Sequence, residues 1–527
     1  MTTVPSLPRS GAGDEPASDL GGQPIRAVPA VKPAEKPLPA RLIATGLAGT
    51  VLIAVGGIGA AAVLEPDPIL NGTAFGWLGY GHGKQMATAV VFVGVTLLVL
   101  AWIRLGREAR AGRLDRRGVL VAIAFWVLPL LLAPPLFSRD LFSYLAQGDL
   151  ALHGFDPYSY GVSVLNDHLS ANVDPAWQNT MAPYGPLFVL VAKAVVLVTG
   201  QSTIVGVLAM RATMCVGLVL LCWALPRLAT QLGGRPTVAL WFGAANPLVL
   251  VYLVGGGHND LLMTGLLTAG TVLVLDRRYR RGIALVTLAF AVKATAGVLL
   301  PFLVWIWMAT MPGDPPGRRF VRAAGQGVAV ALATFAACSA LAGVGLGWIP
   351  ALSATSSVIE WLSLPTAAGQ LTHTVASLFT SVDPEGFLSV ARGIGWLVLI
   401  ALVGRQWWLA RDGMPATTIR RAAVALLVVT LFSPATLPWY FSWPLLLAAG
   451  LAWSRRGLVV GAFASVWIVL VTFPDGTTGL YDWAYLAMAM LAAALAAVSL
   501  VRPDPLRLSA LATPRAVRED SRTATNG

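Results

Sequence analysis

The chain has 527 residues, of which 56% are hydrophobic and only 12% are charged. Many apolar runs are long enough to cross a hydrocarbon layer about 30 Å thick, which excludes an ordinary soluble protein. The runs are continuous and rich in Leu, Ala and Val, so helices are expected and barrel strands are not. The sequence therefore predicts an all-α polytopic membrane protein.

The net charge of +12 would suggest a nucleic-acid partner if the protein were soluble. Here the arginines fall in short clusters between apolar runs, which is the pattern of cytoplasmic loops. We therefore expect contact with membrane lipid and no nucleic-acid partner. The three cysteines, Cys215, Cys222 and Cys338, lie inside apolar runs, where a thiol behaves as a small apolar group. Neither a disulfide nor a metal site is predicted from them.

The chain divides into a membrane domain and two polar tails. Residues 1–41 are rich in Pro, Gly and Ala, and we expect a disordered cytoplasmic tail there. Residues 42–501 form the transmembrane domain, and residues 502–527 form a cytoplasmic C-terminal tail. With the basic loops inside, hydropathy predicts about fourteen crossings and places both termini in the cytoplasm.

Residues 138–202 are predicted to be a long loop at the outer face. The preceding connection, RLGREARAGRLDRRG, is strongly basic and therefore cytoplasmic, so the span at about 118–137 ends outside. The loop contains five aspartates but only two cations, Arg139 and Lys193. Within it, the apolar run 187–200 is short and carries Lys193, so we expect it to lie along the outer interface.

Two later segments return polar residues to the membrane domain. The span at about 237–254 should deliver GGGHNDLL, residues 255–262, to the same face as the long loop. The apolar run 282–309 contains Lys293 and is followed by a basic loop. A broken helix pair that turns near Lys293 keeps that loop inside, so this arrangement is favoured over a single crossing.

Asp140 is the leading candidate for chemistry. It follows a span directly, beside Arg139, and lies at the depth expected for lipid headgroups. A carboxylate there can act as a general base, with nearby cations receiving a phosphate. The alternative is that Asp140 caps a helix after Ser138 or pairs with Arg139. Both interpretations remain open on the sequence alone.

Other candidates fall into three groups, each with a structural alternative. His258, Asn259 and Asp260 could hydrogen-bond a sugar or acceptor, or could cap a helix. The cations Lys293 and Arg211 could bind phosphate, although Arg211 could equally snorkel or pair with an acid. The remaining candidates are aromatic residues or their neighbours, which could contact a sugar or serve in packing and lipid anchoring: Tyr144, Asp156, Tyr158, Tyr184, Trp439 and Tyr440.

Several stretches resemble one family in order along the chain. These are LPLLLAPPLFSRDLFSYLAQGDLALHGFDPYSYG, APYGPLF, WALPRLA, GAANPLVLVYLVGGGHNDLLM and PWYFSWPLL. They are similar to the actinobacterial polyprenol-phosphomannose-dependent α-1,6-mannosyltransferases of lipomannan synthesis, within the type C glycosyltransferase superfamily. The resemblance covers most of the membrane region and leaves out the termini.

The resemblance implies a helical fold with a long first catalytic outer loop that carries juxtamembrane helices. It implies inverting transfer of mannose from polyprenyl-phosphate mannose to a mannan or phosphatidylinositol-mannoside-type acceptor at the outer face of the plasma membrane. The loop acid of the family maps onto Asp140, and Arg139 and Asp260 stand where relatives can carry Lys and Glu. No metal or other cofactor is demanded by the residues.

Two other functions are compatible with a polytopic chain. A transporter or flippase of a lipid-linked sugar would commonly show internal repeats, and none is evident in the sequence. A noncatalytic scaffold would leave the polar cluster at the outer face without a role. Within the enzyme class, a related transferase for another sugar, such as arabinose or glucose, is the nearest alternative. A nucleotide-sugar donor is disfavoured because the chain has no glycine-rich nucleotide loop.

Overall fold

The computed structural model describes residues 38–353 and 358–505. The regular secondary structure in these ranges is helical, with two isolated β-bridges and no β-strand. The predicted all-α class is therefore confirmed. The α-helices are α1 (Ala40–Ala60), α2 (Gly81–Arg110), α3 (Arg116–Leu132), α4 (Asp140–Leu152), α5 (His168–Ala171), α6 (Pro186–Thr199), α7 (Thr203–Leu232), α8 (Pro236–Phe242), α9 (Asp260–Leu275), α10 (Tyr279–Val292), α11 (Leu300–Ala309), α12 (Pro316–Ala342), α13 (Trp348–Ala351), α14 (Leu364–Ser377), α15 (Pro384–Leu409), α16 (Pro415–Phe432), α17 (Ser442–Ala448), α18 (Arg455–Leu470) and α19 (Trp483–Ser499). The predicted N-terminal tail, apart from its last residues, and most of the C-terminal tail lie outside the described residues.

Six of the described helices are long and apolar enough to cross a membrane, namely α1, α2, α7, α12, α15 and α16. The other predicted spans correspond to shorter or interrupted helices. One example is the span predicted at about 237–254, where α8 ends at Phe242 and a π-helical segment, Val249–Gly255, follows after a break. The buried Asn246 side chain bonds the Phe242 carbonyl at 3.0 Å and the Ser465 hydroxyl at 2.9 Å. Irregular backbone is tolerated there because its polar groups find partners inside the bundle.

The run 282–309 is a helix pair that turns back on itself. The backbone is extended at Lys293, between α10 and a 3₁₀ segment that leads into α11. The Tyr279 hydroxyl at the start of α10 donates to the Thr310 hydroxyl just after α11, at 2.7 Å. The Tyr279 ring also stacks on Trp307, with centroids 5.1 Å apart. The broken pair predicted to turn near Lys293 is therefore observed.

Segments predicted to be outer loops meet at one end of the bundle. The Phe137 amide donates to the Pro474 carbonyl at 2.8 Å, and the Gly185 amide donates to the Val292 carbonyl at 3.1 Å. Similarly, the Glu65 amide donates to the Asn172 side chain at 2.9 Å. These bonds join parts of the chain that are far apart in sequence, so the candidate site is built on a connected surface.

Helices α4 and α6 form the part of the long loop closest to the site. They pack side by side, and a Cβ on Gly148 of α4 would lie 2.4 Å from the Ala192 carbonyl oxygen of α6. Only glycine permits this approach. Helix α6 has 14 residues and is therefore about 21 Å long at 1.5 Å per residue, too short for a perpendicular crossing. This length fits a helix lying along the interface.

Candidate functional site

Two helix N-termini converge at the outer-loop end of the bundle. Helix α4 begins with Asp140 and helix α9 begins with Asp260, shortly after His258. The Asp140 carboxylate lies 3.7 Å from Nε2 of His258 and accepts from the Tyr144 hydroxyl at 3.4 Å. Gly257 allows the turn before His258, because its φ of 69° lies in the left-handed region. The two polar stretches singled out in the sequence therefore form one site.

The helix-capping alternative does not describe these residues. No side chain caps α4 or α9. The Asp140 amide donates to the Ser138 hydroxyl at 3.0 Å. The Asp140 carboxylate does not cap the helix and instead accepts from the Tyr144 hydroxyl. In the described ranges no Lys or Arg forms an ion pair with Asp140, so the alternative pairing with Arg139 is also absent. The carboxylate keeps 19% of its side-chain surface exposed and can be reached by a substrate.

His258 is held in one orientation by two contacts. Its Nδ1 lies 2.7 Å from the Tyr252 carbonyl oxygen, and its ring stacks on Trp439 with centroids 3.8 Å apart. A carbonyl accepts only, so Nδ1 carries a proton and the lone pair of the neutral ring is on Nε2. This buried Nε2 has no hydrogen-bond partner among the described residues. It therefore faces Asp140 as a free hydrogen-bond acceptor.

The Asn259 side chain is also without partners. Both its oxygen and its nitrogen are buried and unbonded in the described part of the chain, while its backbone amide lies 3.5 Å from the Tyr144 hydroxyl. Leaving a buried amide unsatisfied costs about 1–3 kcal/mol, so such groups are rare in stable cores. The Asn259 amide is therefore a candidate for hydrogen bonds with a ligand.

Asp260 has surroundings unlike those of Asp140. Both of its carboxylate oxygens lie 2.9 Å from Nζ of Lys293, and the Trp443 indole donates to one of them at 2.5 Å. The Asp260 side chain is fully buried. The Lys293 ammonium also lies over the Tyr440 ring, 4.5 Å from its centroid. Asp260 is therefore the partner of a cation, while Asp140 is free of one.

The chain matches two family models over most of the membrane region. Residues 43–309 match the model described as "Alpha-(1->6)-mannopyranosyltransferase, N-terminal domain", and residues 365–502 match the model described as "MptB C-terminal domain". Three relatives carry matching names. The chain is 43% identical over 480 residues to alpha-(1->6)-mannopyranosyltransferase A of Mycobacterium tuberculosis. This match covers 90% of this chain and 92% of the relative. It is 32% identical over 469 residues to alpha-(1->6)-mannopyranosyltransferase A of Corynebacterium glutamicum, covering 85% and 96% of the two chains. A probable alpha-(1->6)-mannopyranosyltransferase of Mycolicibacterium smegmatis is 30% identical over 497 residues, covering 86% and 87%.

The chain belongs to the alpha-(1->6)-mannopyranosyltransferase family. It is accordingly a membrane glycosyltransferase, and the family resemblance read from the sequence is confirmed. In this mannosyltransferase three of the segments that carried the resemblance also build the site: the loop around Asp140, the HND stretch at 258–260 and the PWYFSW stretch at 438–443.

Two arginines expected near substrate phosphate have other contacts in the mannosyltransferase. Arg139 turns away from Asp140 and donates to the carbonyls of Asn172 at 3.0 Å and Val63 at 3.1 Å. Arg211 is fully buried and donates to three backbone carbonyls, those of Leu131, Ala133 and Gly255. Both guanidinium groups hold backbone in place, because carbonyl oxygens at helix ends and in loops need donors from outside the helix. Neither is brought to the cluster around Asp140.

Some of the candidate loop residues lie at the site, and others support it from outside. Tyr144 and Tyr184 pack edge to face, with centroids 5.3 Å apart, and Tyr144 contacts Asp140 directly. Tyr158 is buried and donates to the Tyr184 carbonyl at 2.9 Å, so it supports the site from behind. Asp156 is exposed and accepts from the Tyr158 amide and the Ser159 hydroxyl, as expected in a turn.

Trp439 and Tyr440 are placed in the site rather than in a lipid-facing belt. Trp439 is 5% exposed and covers the His258 ring, while Tyr440 stacks on Trp443 at 4.3 Å. Trp443 was not among the candidates named from the sequence, and its bond to Asp260 was missed. The available signal was the spacing of Tyr440 and Trp443, since residues three apart in a helical stretch can lie on one face. A cluster of three or more possible metal ligands is not found among the described residues.

Proposed function

We propose that this protein transfers mannose from polyprenyl-phosphate mannose to an α-1,6-mannan acceptor at the outer face of the plasma membrane, with Asp140 as the general base. The observation that carries the proposal is the contrast between the two aspartates. Asp140 is partly exposed and has no ion-pair partner among the described lysines and arginines, while Asp260 is buried and paired with Lys293. A base must be reachable by its substrate and free to take a proton.

The reaction proceeds as one displacement at the anomeric carbon. The acceptor's C6 hydroxyl attacks C1 of the donor mannose, its proton passes to the Asp140 carboxylate, and the bond between C1 and the phosphate oxygen breaks. Polyprenyl phosphate leaves with the electron pair, so no acid is needed at the leaving group. An α-linked product formed with inversion requires a β-linked donor.

His258 and Asn259 arrange the sugars in this proposal. The unbonded Nε2 of His258 and the unbonded amide of Asn259 supply hydrogen bonds that sugar hydroxyls can complete. Tyr184 is partly exposed and packs against the buried Tyr144, so its ring is the one that a sugar can contact. In this proposal the acceptor is a mannan or a phosphatidylinositol-mannoside-type glycolipid. The proposed topology places both termini in the cytoplasm.

A transfer assay with purified protein in detergent tests this function. The wild-type protein is given radiolabelled polyprenyl-phosphate mannose and a short α-1,6-mannoside, with GDP-mannose as the comparison donor. We expect a product one mannose longer, labelled only from the lipid-linked donor and cleaved by an α-1,6-specific mannosidase. Product from GDP-mannose alone, or a product with another linkage, would contradict the proposal.

A further inference from the structure

We propose that the ion pair of Lys293 and Asp260, fixed by Trp443, is a closed positioning bridge that sets the start of α9 against Asp140, and that Lys293 does not receive the donor phosphate. This inference rests on the proposed function, since it assigns roles within the same site. It also assigns Trp443 as a positioning residue for the transfer reaction.

The Lys293 ammonium is enclosed on both sides. Both Asp260 oxygens lie 2.9 Å from Nζ on one side. The Tyr440 and Trp443 rings lie on the other, with centroids 4.5 Å and 5.4 Å from Nζ. Only 13% of the lysine side chain is exposed, and the aspartate side chain is fully buried. The Asp260 carboxylate takes two of the three ammonium donors and compensates the charge, so a phosphate would compete with a buried anion that also accepts from the Trp443 indole.

The charges near Asp140 also disfavour phosphate at this point. The ion pair is neutral as a whole, so it offers a phosphate no uncompensated positive charge, and the Asp140 carboxylate nearby adds a negative one. A second anion placed there would be repelled, most strongly where water is excluded. The pair is therefore suited to positioning its neighbours and not to binding an anion.

The bridge connects three elements that are separate in the sequence. Asp260 begins α9, Lys293 lies at the tip of the broken pair of α10 and α11, and Trp443 belongs to α17. His258 and Asn259 immediately precede Asp260, so a displaced Asp260 carries both away from Asp140. A misplacement of about 1 Å can cost about 10²-fold in rate, even when the substrate still binds.

Neutralising the pair together tests the bridge. The variants are Lys293→Met, Asp260→Asn and the double variant, measured for thermal stability, donor binding, donor KM and kcat. Each single change leaves one buried charge without its partner, so each should be less stable than the double variant. In the double variant we expect kcat to fall by about tenfold or more, with donor KM within about twofold of wild type.

Two other results would overturn the inference. A donor KM raised about tenfold or more by Lys293→Met, and equally by the double variant, would identify Lys293 as a phosphate ligand. A folded double variant with wild-type kcat would show that the pair serves stability alone. Absence of transfer by the wild type would refute the proposed function instead, and the stability comparison would still decide whether the pair is closed.

Trp443→Phe provides an independent test that leaves both charges in place. It removes the indole N–H that bonds Asp260 and keeps an aromatic ring against Tyr440. We expect a several-fold fall in kcat at unchanged donor KM. The matched control is Trp467→Phe, because the Trp467 N–H has no partner among the described residues. Equal kcat in the Trp443 variant, the control and the wild type would refute the role of Trp443.

Discussion

Two aspartates begin neighbouring helices at the site, and their side chains meet different surroundings. Asp140 faces a lone pair of His258 and a tyrosine hydroxyl, with part of its surface open. Asp260 faces an ammonium and an indole N–H and is closed to solvent. A carboxylate that already has a cationic partner is a poor proton acceptor, so position in the fold assigns the two residues different tasks.

His258 should matter through its orientation as well as its presence. Replacing His258 with Ala removes the unbonded Nε2, and we expect kcat to fall by about 10- to 100-fold. Trp439→Ala removes the ring that covers His258 and should have a similar but smaller effect, while Trp439→Phe keeps a stacking partner and should recover most of the activity. Steady-state kinetics at saturating donor measure kcat for each variant. A Phe variant no better than the Ala variant would rule out stacking as the cause.

The residue types of the site could be predicted from the sequence, but the directions of several side chains could not. Asp140 and the stretch from His258 to Asp260 stood out because polar residues interrupt apolar runs. Arg139 was expected near phosphate because it adjoins Asp140. Its partners, the carbonyls of Asn172 and Val63, are 33 and 76 residues away. Contacts over such distances depend on the folded structure and leave no local pattern.

At the scale of elements, the placement of charged residues predicted the breaks between helices better than hydropathy did. The broken pair at Lys293 could be inferred because a basic loop follows it. Helix α14 was not predicted, because residues 346–385 contain no Lys or Arg whose placement could mark a helix end. That helix mixes polar residues such as Gln370 and His373 with exposed apolar ones, so no continuous apolar run marks it. Interrupted spans, such as the one around Asn246, were equally hidden because their polar groups are satisfied only by distant partners.

Glu360 in the loop before α14 should make stability depend on pH. Burial raises its pKa to about 6 from an ordinary value of 4.5, although the Thr478 hydroxyl and the Trp361 amide bond the carboxylate and oppose the shift. The folded protein therefore binds the proton more tightly than the unfolded chain does. The stability contributed by this group is fully present below pH 4.5 and is lost as pH rises through about 6.

Glu360→Gln should consequently stabilise the protein at pH 7.5 and change little at pH 4.5. The gain is at most about 2 kcal/mol, since the shift from 4.5 to about 6 is 1.5 units and one unit corresponds to ~1.4 kcal/mol. Thermal unfolding at the two pH values measures it. Glu385→Gln, which changes an exposed acid on α15, is the control and should have no such dependence. A gain that is equal at both pH values would contradict the explanation by protonation.

At the scale of the whole molecule, the two ends of the bundle differ in charge and construction. The end away from the site carries arginines that bond helix termini, such as Arg107 to the Ser499 carbonyl at 2.7 Å and Arg235 to the Arg110 carbonyl at 2.7 Å. The opposite end carries the site and the interlocked loops. Because Lys and Arg loops are retained in the cytoplasm, we expect the site to face outward.

Cysteine labelling in intact cells checks this orientation. In a background carrying Cys215→Ala, Cys222→Ala and Cys338→Ala, a cysteine is introduced at the exposed Val164 or at the exposed Ala111. An impermeant thiol reagent should label the Val164→Cys protein from outside and the Ala111→Cys protein only after permeabilisation. The reverse pattern would overturn the proposed topology.

The most direct test of the whole account is the rate of mannosyl transfer by Asp140→Asn. This change keeps the size of the side chain and removes its ability to take a proton, so we expect kcat to fall by about 10²- to 10⁴-fold with donor affinity and thermal stability near wild type. Asp482→Asn is the matched control, since Asn also caps a helix and should preserve α19. Turnover by Asp140→Asn close to that of the control would show that another group is the base and would contradict the account.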